Sequence, residues 1–221
     1  IIDETDYYGL TAGTNPPDCA WITSLAQRQK HIIPTFGLHP WYADQFELKD
    51  MMIYLDNCSI IGEIGMDSVW CNTELEIQRK VFLAQMDIAQ ERGCPVILHT
   101  KGQEKEIGKI ISHYTMPVIV HWYSSLEHLN LYLGRDCYFT VGPDVLKNEA
   151  VQCIVKNVAL NRLLVETDGT AAVEWSIGKA TTPEDLPETM QSTIAYISKV
   201  KKINTDIVQN EIIKNINHLG L

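Results

Sequence analysis

Six side chains in this sequence carry metal-ligand chemistry and recur at comparable places: His39, Glu63, Asp67, His99, His121 and Asp168. Each stands in, or just past, a short apolar run. Two of those runs are nearly the same, Pro95-Val-Ile-Leu-His99 and Pro117-Val-Ile-Val-His121, and they begin 22 residues apart. A single histidine in such a place is most simply a core residue hydrogen-bonded to the backbone. Two at equivalent positions on successive runs point instead to a shared ligand. Imidazoles and carboxylates are borderline-to-hard donors, suited to Zn, Mn or Mg rather than to a thiolate-type site. A glutamate has two oxygens and can bridge two cations about 3.5–4 Å apart, the geometry of two-metal hydrolysis.

Strands and helices must position these groups. A proline followed by β-branched and aliphatic residues describes a strand buried on both faces, as in a parallel sheet. The segment 102–114 between the two runs is long enough for one crossover helix. The unit is then strand–helix–strand with a histidine at the carboxyl end of each strand, the end where α/β sheets and barrels place their chemistry. Similar runs at 8–13, 32–39, 59–65, 138–142 and 163–168 alternate with helical patterns. With Ile1-Ile2-Asp3 added they make eight, the count of a single α/β (β/α)8 TIM-type barrel with a metal site at the carboxyl ends of its strands. One domain over residues 1–221 is expected.

Helices are predicted over 18–30, 73–92, 187–201 and 205–217. Thr73, with Glu76 three residues on, predicts a capping box, and Gly93 predicts the stop. Ile77, Val81, Phe82, Ala84, Ile88 and Ala89 have helical spacing and predict the core-facing stripe. One junction does not fit a barrel. Only four residues separate Asp3 from Tyr8, whereas a crossover between parallel neighbours takes a dozen or more. Either the first three residues are no barrel strand, or a segment after Asp3 is missing from the sequence.

Hydrophobic content of 45% and charged content of 21% describe an ordinary globular protein. The formal net charge of −10 argues against a wide basic footprint on duplex DNA. It leaves room for a small phosphate-bearing substrate held through cations, which reverse the local field. Cys19, Cys58, Cys71, Cys94, Cys137 and Cys153 are spread evenly with no C-x-x-C spacing, as expected of reduced packing residues in a cytoplasmic chain. No apolar run approaches about 18 residues, and no basic region precedes an apolar one at the start, so neither a membrane span nor a secretory signal is expected.

Several further residues carry two readings. Gly62 and Gly65 flank the strand that bears Glu63, where a missing Cβ admits either a ligand or simply the neighbouring strand. Glu166 and Asp168 are two apart and point to one side; an inward Glu166 needs a partner, functional or purely structural. Lys101, just past His99, is either an anchor for an anion or a solvated loop lysine. Trp122 and Trp175 are either an aromatic wall for a base or half-buried loop aromatics.

Taken together, these stretches resemble the TatD-like metal-dependent hydrolases, among the amidohydrolase-type barrels. The resemblance is carried by Phe36-Gly-Leu-His-Pro40, Ile60-Ile-Gly-Glu-Ile-Gly-Met-Asp67, Gln78-x-x-x-Phe82-x-x-Gln85, Val96-Ile-Leu-His-Thr-Lys101, Val120-His-Trp-Tyr-Ser124 and Leu164-Val-Glu-Thr-Asp-Gly169, and covers nearly the whole chain in order. It implies that Glu63, His99, His121 and Asp168 hold one or two divalent ions (Zn, Mg or Mn). It also implies deoxyribonuclease or related phosphoester hydrolysis. His121-Trp-Tyr-Ser124 departs from the family's commoner His-Cys-Phe-Ser-Gly, which suggests a subgroup.

The family's first strand ends in Asp-x-His-x-His, but here Thr5 stands where the first histidine is expected. This is the junction that was already too short, so on the order of 20 residues are expected to be missing near Asp3 and Glu4, enough for a crossover helix. The expected activity is hydrolysis of phosphodiesters of DNA or nucleotides by a metal-activated water, with Asp168 as proton acceptor. His39 and Lys101 are expected to hold the anionic end of a small phosphate-bearing substrate or of a single-stranded DNA end. An amidohydrolase-type C–N hydrolase, or a non-catalytic metal- or ligand-binding barrel lacking the first metal pair, are the alternatives.

Overall fold

The computed structural model describes residues 8–135 and 137–220. The expected strand at Ile1-Ile2-Asp3, Thr5 and the junction after Asp3 lie outside the described residues. Seven strands follow: β1 Gly9–Gly13, β2 Ile32–Phe36, β3 Ile61–Gly65, β4 Val96–His99, β5 Val118–Val120, β6 Tyr138–Val141 and β7 Leu163–Val165. They are hydrogen-bonded neighbours in sequence order, and the registered pairs are parallel. Helices alternate with them, so the fold is α/β, as the alternation of runs predicts. Contacts gather the chain into two compact units that meet in sequence between Ile119 and Val120.

In the first unit, the prolines of the two repeated runs stand just outside the strands. The Pro95 carbonyl accepts from Ile61 N (3.0 Å), and the Pro117 carbonyl accepts from Val96 N (3.0 Å). A proline cannot donate to a ladder, so the entry of a strand is the place where it costs least, although Pro34 is accommodated at the middle of β2, opposite Thr11. All four residues of β4 are buried, as a strand covered on both faces should be. Strand β3 sits unusually close to it. A Cβ on Gly62 would lie 2.6 Å from Cβ of Ile97, and one on Gly65, whose φ is +149°, would run into the carbonyl of His99. What approaches these glycines is therefore the neighbouring strand.

Helix α1 (Pro16–Ala26) begins with prolines in its first turn and is capped by Asn15, whose side chain accepts from Asp18 N. Helix α2 (Leu48–Leu55) follows β2. Helix α3 (Leu75–Arg92) ends at the left-handed Gly93 as predicted, but its N-cap is Glu74. Thr73 does not cap it: its hydroxyl donates to Asp44 Oδ1 at 3.0 Å. The buried face of α3 is Gln78, Phe82, Gln85, Met86 and Ala89, whereas Ile77 is 40% exposed. Two glutamines thus take core positions that apolar periodicity assigned elsewhere. Helix α4 (Glu104–Ile111) is the crossover from β4 to β5.

The second unit carries α5 (Leu129–Leu133), α6 (Glu149–Asn157), α7 (Gly169–Ile177), α8 (Leu186–Lys201) and α9 (Thr205–His218). Phe139, Thr140 and Val141 pair with Leu163, Leu164 and Val165. Tyr123, Tyr132 and Phe139 form a buried aromatic cluster with ring centroids 5.1–6.4 Å apart. Asn215 of α9 donates to the carbonyls of Leu160 (3.0 Å) and Leu163 (2.8 Å), tying the last helix to the start of β7. No described helix is long and apolar enough to cross a membrane.

Candidate metal-ligating groups

In the first unit His39, Glu63 and His99 come together. Each offers one ligand atom, and those atoms lie within 4.8 Å of one another. Glu63 is the middle residue of β3 and His99 the last of β4. Strand β2 ends at Phe36, short of the expected His39, which instead opens a 3-10 turn over Pro40–Tyr42. The His39 and His99 rings meet edge-on with centroids 4.7 Å apart. Nε2 of His39 lies 3.9 Å from Glu63 Oε2, and its Nδ1 accepts from Trp41 N at 3.3 Å. A neutral ring that accepts on Nδ1 carries its proton on Nε2. His39 therefore turns an N–H toward the group.

Asp67 does not join the three. It is fully buried, and its two oxygens accept four hydrogen bonds. Oδ2 takes His99 Nε2 (2.9 Å) and Trp41 Nε1 (2.8 Å), while Oδ1 takes the backbone N–H of Val69 and Trp70 (2.8 Å each). Burial pushes its carboxyl up, but the hydrogen bonds from His99, Trp70 N, Trp41 and Val69 N outweigh this and hold it well below the usual carboxylate range. With Nε2 donating to Asp67, the lone pair of a neutral His99 ring is on Nδ1.

Helix α3 braces both loops. The Gln85 carboxamide accepts from Leu38 N (2.7 Å) and donates to Leu38 O (3.1 Å), next to His39. Two turns earlier, Gln78 accepts from Asp67 N (2.8 Å) and donates to Asp67 O (3.0 Å). Residues seven apart share a helix face, so one face holds both loops at their backbones. Lys101 lies beyond this group, its ammonium 4.5 Å from the centroid of the Trp70 ring.

In the second unit His121 follows β5 directly, and Asp168 caps α7 with φ +55°. His121 Nε2 is 3.8 Å from Asp168 Oδ2. On its other side, Nδ1 sits 2.6 Å from Oε2 of Glu166. The partner that Glu166 required is thus a histidine rather than a lysine or arginine. Its Oε1 accepts from Thr140 Oγ1 (2.6 Å) and Trp122 N (3.0 Å). Glu166 and Asp168, both past the end of β7, stand beside the two nitrogens of one ring. Trp122 and Trp175 meet edge-on at 6.2 Å, with Trp175 68% exposed. The Trp122 indole donates to buried Asp144 (2.9 Å). Burial raises the Asp144 carboxyl above its ordinary range, against the bonds from Asn148 and Trp122.

The two histidines are treated alike. Each has one ring nitrogen engaged by a buried or half-buried carboxylate whose remaining acceptors are filled by neighbours. That is the arrangement in which carboxylates orient metal-binding imidazoles, and nitrogen and carboxylate donors together fit a borderline-to-hard divalent ion. Sequence reasoning placed Asp67 among the ligand-type residues and missed its hold on His99.

Comparison with known proteins agrees. A family model described as TatD related DNase matches residues 7–219. The chain is 27% identical over 231 residues to an uncharacterized metal-dependent hydrolase of Mycoplasma genitalium, covering 94% of this chain and 85% of that protein. It is 24% identical over 207 residues to deoxyribonuclease TATDN3 of Homo sapiens, covering 85% and 74%. Among solved structures, the TatD homologue YJJV of Escherichia coli matches the fold with a TM-score of 0.83 at 21% identity, over 95% of this chain and 85% of that one. With one family model spanning nearly the whole chain, this protein belongs to the TatD related DNase family.

Proposed function

We propose that this chain is a divalent-metal-dependent phosphodiesterase acting on DNA or nucleotides. The observation that carries the proposal is the matched pair of carboxylate-oriented histidines, Asp67 on His99 and Glu166 on His121. Glu63, His99, His121 and Asp168 are the proposed ligands of one or two cations, Zn, Mg or Mn. Such an ion, when bound, lowers the pKa of a water toward about 7 and offsets phosphate charge.

The chain's own groups do the rest. Asp168, with its side chain 48% exposed, accepts the proton of the attacking water. His39 donates its Nε2–H to a phosphate oxygen, and Lys101, whose ammonium lies over the Trp70 ring, holds the anionic end. A net charge of −10 disfavours long duplex and supports a short phosphate-bearing substrate or a single-stranded DNA end. The thiols of Cys19, Cys58, Cys71, Cys94 and Cys153 support a reducing, cytoplasmic setting.

The test uses protein stripped of metal and then given Mg, Mn or Zn, with bis-p-nitrophenyl phosphate and a single-stranded oligonucleotide as substrates. Hydrolysis that depends on the added ion is expected. No turnover of either substrate with any of the three ions overturns the proposal.

A further inference from the structure

We propose that Asp67 is a positioning residue that fixes the tautomer of His99, and that only a carboxylate can serve there. The proposal rests on the reading of His99 as a metal ligand. Four groups point at Asp67: the ring Nε2 of His99, the Trp41 indole N–H and two backbone N–H groups, from Val69 and Trp70. Three of the four can only donate. The two oxygens of a buried carboxylate meet them two apiece, and His99, facing an acceptor, is bound to carry its proton on Nε2. Its Nδ1 is then the nitrogen with a lone pair, and Nδ1 is on the other side of the ring from Asp67.

A carboxamide cannot replace this carboxylate. It has one oxygen and one NH2 group, so in either orientation the NH2 faces two donors. Of the four, His99 alone can turn from donor to acceptor, by moving its proton to Nδ1. The lowest-cost arrangement for Asp67→Asn keeps the amide oxygen on the backbone N–H of Val69 and Trp70 and turns NH2 toward His99. The lone pair then moves to Nε2, and the ligand atom is lost without any displacement of the ring.

The same carboxylate reaches outward. Trp41 is 41% exposed and Trp70 52% exposed, and both are held through Asp67, one by its indole and one by its backbone. Lys101, over the Trp70 ring, belongs to the same assembly. Asp67 thus ties the proposed ligand His99 to the aromatic rim that carries the proposed phosphate anchor.

The experiment is nitrogen NMR of the metal-free, full-length protein, with His99 assigned by comparison with His99→Ala, followed by calorimetric titration with Zn or Mn. In the native protein the His99 proton is expected on Nε2; in Asp67→Asn it is expected on Nδ1, with cation affinity weakened about 10–100-fold. A native spectrum with the proton on Nδ1, or an Asp67→Asn protein that keeps Nε2–H, overturns the positioning role. If Asp67→Asn does not fold, the native spectrum alone decides. A His99→Ala protein that binds the cation as tightly as the native one overturns the ligand reading instead, and because that is read from affinity rather than from the tautomer, the two failures stay distinct.

Discussion

Nδ1 of His121 lies 2.6 Å from Oε2 of Glu166, and the other oxygen of that carboxylate is filled by Thr140 Oγ1 and Trp122 N. The ring is therefore held from behind, with Nε2 directed to the side of Asp168. Replacing Glu166 by Gln puts an NH2 group either on His121 or on the Trp122 N–H. The fold should survive, while cation affinity and turnover fall about 10–100-fold. Calorimetric titration with Mn or Zn checks this, and unchanged affinity would remove Glu166 from the site.

Asp168→Asn should leave stability nearly unchanged. Its φ of +55° lies in the left-handed region, which Asn adopts as readily as Asp. Turnover of bis-p-nitrophenyl phosphate should drop at least about 100-fold, the lower range for a lost general base. Near-normal turnover would exclude the carboxylate as proton acceptor.

His39→Ala should raise KM more than it lowers kcat, because a donor to the substrate's phosphate contributes in the ground state as well as the transition state. Steady-state kinetics at saturating metal separates the two. A fall in kcat with KM constant would move His39 into the chemical step.

Gln85→Ala strands the N–H and the carbonyl of Leu38, both otherwise satisfied by the carboxamide. A buried donor or acceptor left unmade costs about 1–3 kcal/mol, so with two such groups a loss of about 2–6 kcal/mol is expected. For a chain of this size that is a Tm lower by about 4–24 °C, measurable by calorimetry.

Stability should fall at both ends of the pH range. At the alkaline end, burial, helped by the charge of Asp18, pushes the Cys19 thiol up to about 12 from 9.0. The folded state thus binds a proton that the unfolded chain releases. The contribution is complete below pH 9 and is lost as pH rises toward 12, and Cys19→Ala should flatten that slope in denaturant titrations. At the acid end, Asp67 is held below its ordinary range, so its contribution is present above about pH 4, the unfolded value, and is lost as the pH falls further.

Much of this architecture was legible in short-range pattern. Runs such as Pro95–His99 announce a buried strand and the place of its last side chain, whereas the strand alternation expected of Glu166 and Asp168 does not reach them, because β7 ends at Val165 and Asp168 has left-handed backbone. What was hidden depends on partners far apart in sequence. Asp67 and His99 are 32 residues apart, and nothing local tells a ligand from a residue that orients one. Thr73 fits a capping box, but a hydrogen bond to Asp44, 29 residues away, takes its hydroxyl and moves the helix start. Apolar spacing in α3 points to Ile77, yet Gln78 occupies the core, where its amide satisfies the backbone N–H and carbonyl of Asp67.

The prolines at the head of β4 and β5 act as a gauge for the histidine at the other end. Because Pro95 has no N–H to give, hydrogen-bonded pairing extended backward past it forfeits a donor. Counting from that fixed point, His99 is four residues on, an even step in a structure of period two. A slip of one residue would force a proline ring into the ladder and turn the imidazole to the opposite face of the sheet. A residue with no chemistry of its own thereby decides which way the reactive one looks, and mutations at Pro95 should first show as a misplaced ligand rather than as a lost fold.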